Sequence, residues 1–319
     1  MSENLDIRSY QEGDEKHILE LFRHTFGGRQ LSAKYWLWRF QNNPYGPAFI
    51  KLAWDKDTLA AHYAVTRLIM RIGGQDKRVG LTGTVMTDRA YQGRGFLSIL
   101  GKRVYSEMAD QGMEMVWGFP NSSSHRIFVR DLSWQDIYEI PMFRLHLGAS
   151  QRVDAGESDG VTEESKIDER FDRLWERVSS DYDMIVRRDQ SYLTWRLSKP
   201  LQQYRVIVRA DKEEIRGYMV FKRYAEELQV VDMLIGRKDA DTGRALIAYV
   251  IRQGQKEKAK TISMWLNVAH PFHHALESMG FKPEGPVTYL AGLALNPKLN
   301  ASTYDHRRWF FTMSDSDVF

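Results

Sequence analysis

The sequence repeats itself, and this repeat constrains the fold more than any other feature. The segment KYWLWRFQNNP (34–44) resembles SYLTWRLSKP (191–200), since each has a Tyr followed three residues later by Trp-Arg. Further along, VWGFPNSSSHRIFVRDLSW (116–134) resembles MWLNVAHPFHHALESMGF (264–281), and in both a strand ends near an Asn before a helix begins. Two matches at similar offsets indicate a duplicated unit.

Composition excludes several classes of protein. The 319 residues, 43% of them hydrophobic, are enough for one large or two ordinary domains with well-filled cores. The net charge is only +3, which favours a small anionic ligand over nucleic acid as a partner. The absence of cysteine excludes disulfides, thiolate zinc sites and a cysteine nucleophile.

The chain carries no sign of a membrane or export segment. Its start, MSENLDIRSYQEGDEKH, lacks the apolar core of a signal peptide, and no stretch approaches the roughly 18 apolar residues of a membrane span. These features predict a cytoplasmic protein with no membrane partner.

A polar segment divides the two halves of the repeat. Residues 148–166, GASQRVDAGESDGVTEESK, are poor in large apolar side chains and are typical of a solvated linker. We therefore predict one unit over 1–147, this linker, and a second unit over 167–319.

Hydrophobic patterns place both units in the α/β (α+β) class, each a mixed, mostly antiparallel sheet flanked by helices. In the first unit they predict strands at 5–10, 48–54, 58–72, 77–87, 113–119 and 134–147, with helices at 14–26, 32–41, 95–111 and 122–131. The second unit is expected to follow the same order over about 168–313, but without the first strand.

The turn YQGRGF (91–96) lies between a predicted strand and a predicted helix. Gly93 and Gly95 would let a phosphate approach the backbone N–H groups at the start of that helix, and Arg94 would add a charged donor. An ordinary tight loop would show the same two glycines. The dinucleotide fingerprint fits poorly because Ser98 stands at its third glycine, and no Gly-Lys-Ser/Thr follows to make a nucleotide-hydrolase loop.

YQGRGFLSIL resembles the acyl-CoA pyrophosphate loop of the GNAT N-acyltransferase superfamily, with Leu97 at a position that is usually small. The preceding strand, the Asn-led segment 121–124 and the ending DLSW (131–134) are also similar to that family. The resemblance covers 5–147 well and 168–313 more loosely. It is closest to tandem GNAT proteins of polysaccharide and cell-surface glycan biosynthesis, which share GFPN (118–121) and an ending like WFFTMSDSD (309–317).

This resemblance implies where an acyl-CoA co-substrate binds. The pantetheine arm would lie between two strands that splay apart, and the amide of Thr87 would polarise the thioester carbonyl. The implied contacts are Val85, Met86, Thr87, Gln92, Gly93, Arg94, Gly95, Phe96, Leu97, Ser98, Asn121 and Ser124.

The acid and base are harder to assign. The strand LTGTVMT lacks the Glu that many GNAT enzymes place there, and Val129 stands where a Tyr is usual. His125 is a candidate for either role, although a His at a helix start is often a capping or surface residue. Asp315 and Asp317 are further candidates, with a solvated terminal pair as the alternative.

The second unit lacks the acyl-CoA loop, because its junction reads IGRKDADTGRALIAYV (235–250). We therefore expect it to bind no second CoA. HPFHH (270–274) has no carboxylate or cysteine in a metal-binding pattern, so no metal site is predicted.

The predicted function is transfer of an acyl group, acetyl by expectation, from acyl-CoA directly to the amine of a small acceptor. The glycan-associated resemblance suggests an amino sugar or a nucleotide-linked amino sugar. Two alternatives stay open: aminoacyl transfer from tRNA, and a CoA-binding module without catalysis.

Overall fold

The computed structural model describes residues 5–148, 157–316 and 319. Within 5–148 the elements follow the predicted order, and the predicted fold class is confirmed. They are β1 (Asp6–Ser9), α1 (Glu15–Thr25), α2 (Ala33–Phe40), β2 (Phe49–Asp55), β3 (Thr58–Ile72), β4 (Gln75–Thr87), α3 (Phe96–Asp110), β5 (Met115–Gly118), α4 (Ser122–Leu132) and β6 (Gln135–His146).

The second half runs through a similar order. Its elements are β7 (Val161–Glu164), α5 (Glu169–Val178), β8 (Met184–Val186), α6 (Gln190–Leu197), β9 (Arg205–Asp211), β10 (Glu214–Tyr224), β11 (Glu227–Ile235), α7 (Ala240–Lys256), β12 (Thr261–Trp265), α8 (Phe272–Ser278), β13 (Lys282–Ala294), α9 (Asn300–Thr303) and β14 (Trp309–Phe310).

Strand β7 corrects two predictions. It lies inside the segment that we expected to be a linker, and it supplies the first strand that we expected the second half to lack. β7 pairs with β9 along one side, and its Glu163 forms an ion pair with Arg205 at 3.0 Å. These contacts explain why the sequence of the strand is polar. An edge strand of this kind needs few apolar side chains. Residues 149–156 of the predicted linker lie outside the described residues.

The structure forms two compact units, and neither is continuous in sequence. Unit 1 contains 1–69, 77–138 and 289–304, and unit 2 contains 70–76, 139–288 and 305–319. The chain thus passes from unit 1 to unit 2 within β6 and returns within β13. Each unit takes a strand from the other half of the sequence, which the predicted boundaries at 147 and 167 do not include.

The sheet of unit 1 has the order β1-β2-β3-β4-β5-β13. The pairs β1–β2, β2–β3 and β5–β13 are antiparallel, whereas β4 and β5 are parallel. The register of β4 and β5 runs from Val79 opposite Met115 to Leu81 opposite Trp117 and stops there. Since β4 continues to Thr87, its last residues have no backbone partner on β5, as the predicted splay requires.

Two apolar cores lie in unit 1. One gathers side chains of α3 and α4 with Tyr63 and Trp134, and the other gathers those of α1 and α2 with Met86. A buried chain of hydrogen bonds joins the first core, because Trp134 Nε1 donates to the Tyr105 hydroxyl at 2.8 Å and that hydroxyl lies 2.5 Å from the one of Tyr63. These cores fix the helices that flank the splayed strands.

The sheet of unit 2 has the order β6-β12-β11-β10-β9-β7. In this order β11 and β12 are parallel, and their register ends at Val230 opposite Met264 although β11 continues to Ile235. Strand β14 pairs with β8, which also pairs with residues 70–72 at the end of β3. Among the described residues, no helix is both long enough and apolar enough to cross a membrane.

Candidate active site

The glycine turn has the backbone that its sequence predicts. Gly93 and Gly95 both have φ near +79°, a region that other residues rarely enter. A Cβ built on either one meets no atom within 4 Å, so the turn is open to a ligand. Tyr91, just before the turn, anchors it by donating from its hydroxyl to Asp55 at 2.7 Å.

Helix α3 starts at this turn without a side-chain cap. Gly95 is its N-cap residue and has no side chain to accept from the first N–H groups. The first N–H groups of the helix have no carbonyl of a preceding turn to bind. Together with the positive end of the helix dipole, they can attract an anion. Phe96 is buried beneath them, whereas Arg94 is exposed, with its guanidinium 4.9 Å from the Tyr91 ring centre.

Three predicted contacts, Gln92, Leu97 and Ser98, flank the same turn. Gln92 Nε2 donates to the Thr87 carbonyl at 3.4 Å, which ties the turn to the end of β4. Leu97 is half-buried and packs against the α3 core. The Ser98 hydroxyl donates to Asp131 at 3.0 Å, so this hydroxyl is already engaged on α4.

The end of β4 is bent at Thr84, which has φ of +55° although it is not glycine. His62 holds this bend, because its Nδ1 donates to the Thr84 carbonyl at 2.7 Å. Burial lowers the pKa of His62 to about 4, so the ring is neutral. Beyond the bend Val85 is half-buried and Met86 is buried in the α1/α2 core. A bend that carries strain at this point fits a strand that leaves its neighbour.

Asn121 and Ser124 lie at the start of α4, as predicted. Asn121 caps the helix, since its Oδ1 accepts from the backbone N–H groups of Ser123 and Ser124 at 3.0 Å each. Its side chain is exposed, and its Nδ2 has no partner among the described residues. This amide donor is therefore available to a ligand.

His125 has two partners that the sequence did not identify. Its Nε2 lies 2.5 Å from Asp136 Oδ1, at the start of β6. The ring stacks on Tyr289 of β13 with 4.3 Å between ring centres and 5° between planes. A carboxylate on one ring nitrogen orients the imidazole, which is how a histidine is held for proton transfer.

Asp315 is buried within unit 2, which contradicts the alternative of a solvated terminal pair. It is 2% exposed, so it is not a solvated terminal residue. Its Oδ2 accepts from Arg188 Nη2 at 2.6 Å and from the Thr312 backbone at 2.7 Å, all within unit 2. Burial raises its pKa despite this arginine. These contacts favour a role in holding the C-terminal segment. Asp317 lies outside the described residues.

Asp88 is a turn residue, since its carboxylate accepts from the Ala90 backbone at 2.9 Å. The HPFHH segment has a neighbouring carboxylate that the sequence pattern did not show. Ligand atoms of His273, His274 and Glu277 lie within 4.8 Å of one another, in the one such group found among the described residues. Two of the three side chains are exposed, and exposed groups of this kind are common without a metal.

With this geometry in place, residues 6–134 match a family model described as an acetyltransferase (GNAT) domain. Residues 6–134 are therefore similar to a GNAT acetyltransferase domain. This confirms the predicted enzyme class, whose members use acyl-CoA donors such as acetyl-CoA and act on small amines. No curated protein matches the chain in sequence.

Solved structures resemble the chain over most of its length at low sequence identity. A probable N-acyltransferase from Enterococcus faecalis has a TM-score of 0.71 and 12% identity, covering 92% of this chain and 73% of its own. A GCN5-related N-acetyltransferase from Kribbella flavida has a TM-score of 0.68 and 15% identity, covering 92% and 72%. Eis1 from Mycobacterium abscessus has a TM-score of 0.61 and 14% identity, covering 98% and 83%. These similarities show the fold.

Proposed function

We propose that the protein transfers an acyl group from acyl-CoA directly to the amine of a small acceptor at unit 1. The observation that carries this proposal is the open glycine turn before the uncapped α3, at the end of a strand that has left its parallel neighbour. The turn would bind the pyrophosphate, and the free backbone of 85–87 would pair with the pantetheine arm.

The chemistry needs one bond made and one broken. The acceptor nitrogen attacks the thioester carbon, the oxyanion is stabilised by the Thr87 amide, and the CoA thiolate leaves. The amine gives up a proton and the thiolate gains one. We assign this proton transfer to His125, which Asp136 orients at 2.5 Å and Tyr289 holds by stacking. No covalent enzyme intermediate is needed.

Unit 2 is proposed to be a second GNAT-like unit that binds no acyl-CoA. It shares the element order and the early end of the parallel register, but its junction lacks the glycine turn. An amino sugar or nucleotide-linked amino sugar as acceptor rests on the sequence resemblance alone. The intact loop speaks against aminoacyl-tRNA as the donor, and the oriented His125 speaks against a module without catalysis.

Release of CoA from acetyl-CoA, measured with a panel of small amines, tests this proposal. We expect His125→Ala to lower kcat by about 10²–10⁴-fold with the dissociation constant of acetyl-CoA unchanged. His146→Ala is the matched control, because His146 in unit 2 also binds a carboxylate, Glu284, at 2.9 Å. An equal decrease of kcat in the two variants would show that His125 does not carry out the proton transfer.

A further inference from the structure

The arginine of the repeated Tyr-x-x-Trp-Arg segment is paired in unit 2. Arg196, on α6, donates from Nε to the carbonyl oxygen of Ser314 at 2.8 Å. Its Nη2 donates to the main-chain oxygens of Ser316 at 3.3 Å and Phe319 at 2.6 Å. One edge of this guanidinium therefore holds the chain's own C-terminal segment.

The equivalent arginine in unit 1 has no such partner. Arg39, on α2, is 2% exposed, and its Nε and Nη2 are buried without a hydrogen-bond partner among the described residues. These are the two nitrogens that Arg196 uses. A guanidinium cannot lose its proton in a protein, so Arg39 is a buried cation that lacks a counter-charge.

The repeated asparagine shows the same difference. Asn267 in unit 2 donates from Nδ2 to the carbonyl oxygens of His306 at 2.6 Å and Trp309 at 3.0 Å, again in the C-terminal segment. In unit 1 the Nδ2 of Asn121 has no partner among the residues that the structure describes. In unit 2 these groups bind main-chain oxygens at 306, 309, 314, 316 and 319, whereas in unit 1 the matching nitrogens have no partner among the described residues.

Among the described residues, α2 and β3 hold further buried polar atoms without a hydrogen-bond partner. Trp36, one helical turn before Arg39 on α2, has an indole Nε1 without a partner, and so does His62 at Nε2. The rings of Trp36 and His62 flank Phe40, at 5.8 and 6.1 Å between centres. His62 also holds the bend of β4 at Thr84, so α2 reaches the proposed acyl-CoA strand through the contact between Phe40 and His62.

We infer that Arg39 binds a carboxylate of the substrate. The inference rests on the proposed function. Nε–H and the neighbouring Nη2–H lie along one edge of the guanidinium and match the two oxygens of a single carboxylate. A carboxylate also supplies the counter-charge that neutral carbonyls, such as those of Ser314 and Ser316 bound by Arg196, do not supply. The phosphates of CoA are already assigned to the glycine turn, so the carboxylate belongs to the acceptor or to the acyl chain.

Thermal unfolding without any ligand gives the first test. Arg196→Met should lower Tm by about 5 °C or more, because it removes three hydrogen bonds to the C-terminal segment. Arg39→Met should leave Tm within about 2 °C of the wild type or raise it, because an uncompensated buried charge is removed. A fall in Arg39→Met as large as that in Arg196→Met would overturn the inference.

Substrate pairs give the second test and separate the two sources of the carboxylate. With acetyl-CoA, the acceptor arm compares 2-amino-2-deoxyglucuronate with glucosamine, and β-alanine with β-alaninamide. The acyl arm compares succinyl-CoA with butyryl-CoA in thermal-shift titrations. In one of the two arms, the wild type should prefer the compound with the carboxylate by about 10²-fold, in kcat/KM for the acceptors or in affinity for the acyl-CoAs. In Arg39→Met this preference should fall below about 10-fold.

Outcomes for Arg39 and for the proposed function are distinct. If an active wild type shows no preference for the carboxylate compound in either arm, the carboxylate role of Arg39 is overturned and acyl transfer is not. Failure to bind any acyl-CoA would overturn the proposed function, and the thermal comparison of Arg39→Met with Arg196→Met would then decide the role of Arg39 by itself.

Discussion

Unit 1 and unit 2 each bury a histidine, and they satisfy it differently. His270 in unit 2 accepts from the Phe272 backbone at Nδ1 and meets the Tyr182 hydroxyl at Nε2, at 3.1 and 3.2 Å. His62 in unit 1 uses only Nδ1, on Thr84, and leaves Nε2 without a partner among the described residues. Unit 2 pairs both ring nitrogens, and unit 1 pairs one.

Buried charge follows the same division. Arg188 in unit 2 is fully buried between Asp232 at 3.0 Å and Asp315 at 2.6 Å. Arg39 in unit 1 has no hydrogen-bond partner for its Nε and Nη2 among the described residues. Buried polar groups without partners lower stability. A binding site can contain such groups because a bound ligand supplies the missing hydrogen bonds. For these residues, unit 2 supplies the partners from its own chain, whereas Arg39 and His62 of unit 1 keep unpaired nitrogens, and we propose that substrate completes Arg39.

Removing the buried cation of unit 2 should have the largest effect on stability. Arg188→Met leaves Asp232 and Asp315 buried without their counter-charge, and we expect a loss of about 3–5 kcal/mol in the free energy of unfolding. Urea unfolding at neutral pH measures it, with Arg39→Met as the matched variant that should lose nothing. Equal losses in the two variants would remove the contrast between the units.

Acid should destabilise the protein through the two buried histidines. Burial lowers the pKa of His62 from an ordinary value of 6.5 to about 4. Between these two pH values, the histidine is protonated in the unfolded chain and neutral in the folded chain. Stability is complete above pH 6.5 and falls as the pH drops towards 4, by about 3 kcal/mol for this group.

His62→Gln tests this pH dependence, because glutamine can donate to the Thr84 carbonyl without titrating. His270, whose pKa burial lowers to about 3, remains in the variant and supplies the reference slope. We expect the unfolding free energy of the variant to fall less steeply between pH 6.5 and 4, by about 1.4 kcal/mol per pH unit. Identical slopes in variant and wild type would contradict the account of His62.

A substitution in the glycine turn should weaken acyl-CoA binding, whereas a matched substitution in another turn should not. Gly95→Val and Gly74→Val both place a branched residue at φ near +79° in open space, so their backbone strain is matched. We expect both to lose similar stability, but only Gly95→Val to weaken acetyl-CoA binding, by about 10²-fold or about 2.7 kcal/mol. Unchanged affinity in Gly95→Val would show that the turn does not hold the pyrophosphate.

Local sequence patterns predicted most of the fold. Both Tyr-x-x-Trp-Arg segments lie on helices, α2 and α6, and the Asn at 121 begins α4 as expected. Such features depend on residues close in sequence, where periodicity and capping are visible. β7 was missed because an edge strand with ion pairs does not need an apolar pattern.

The site was predictable only where it is local. The glycine turn and the Asn121 cap have the local structure that the sequence predicts, because motif and structure coincide in one stretch of chain. Tyr289 was not found, because it reaches His125 through the pairing of β13 with β5, which no local pattern indicates. The burial of Asp315 depends likewise on Arg188, far away in the sequence.

Calorimetric titration with acetyl-CoA tests the central claim most directly, because it counts sites as well as measuring affinity. The account predicts one acetyl-CoA per chain, with binding weakened by about 10²-fold in Gly95→Val and unchanged in Gly74→Val. Two sites per chain would contradict the division between a completed and an open unit, and no binding at all would contradict the acyl-CoA site of unit 1.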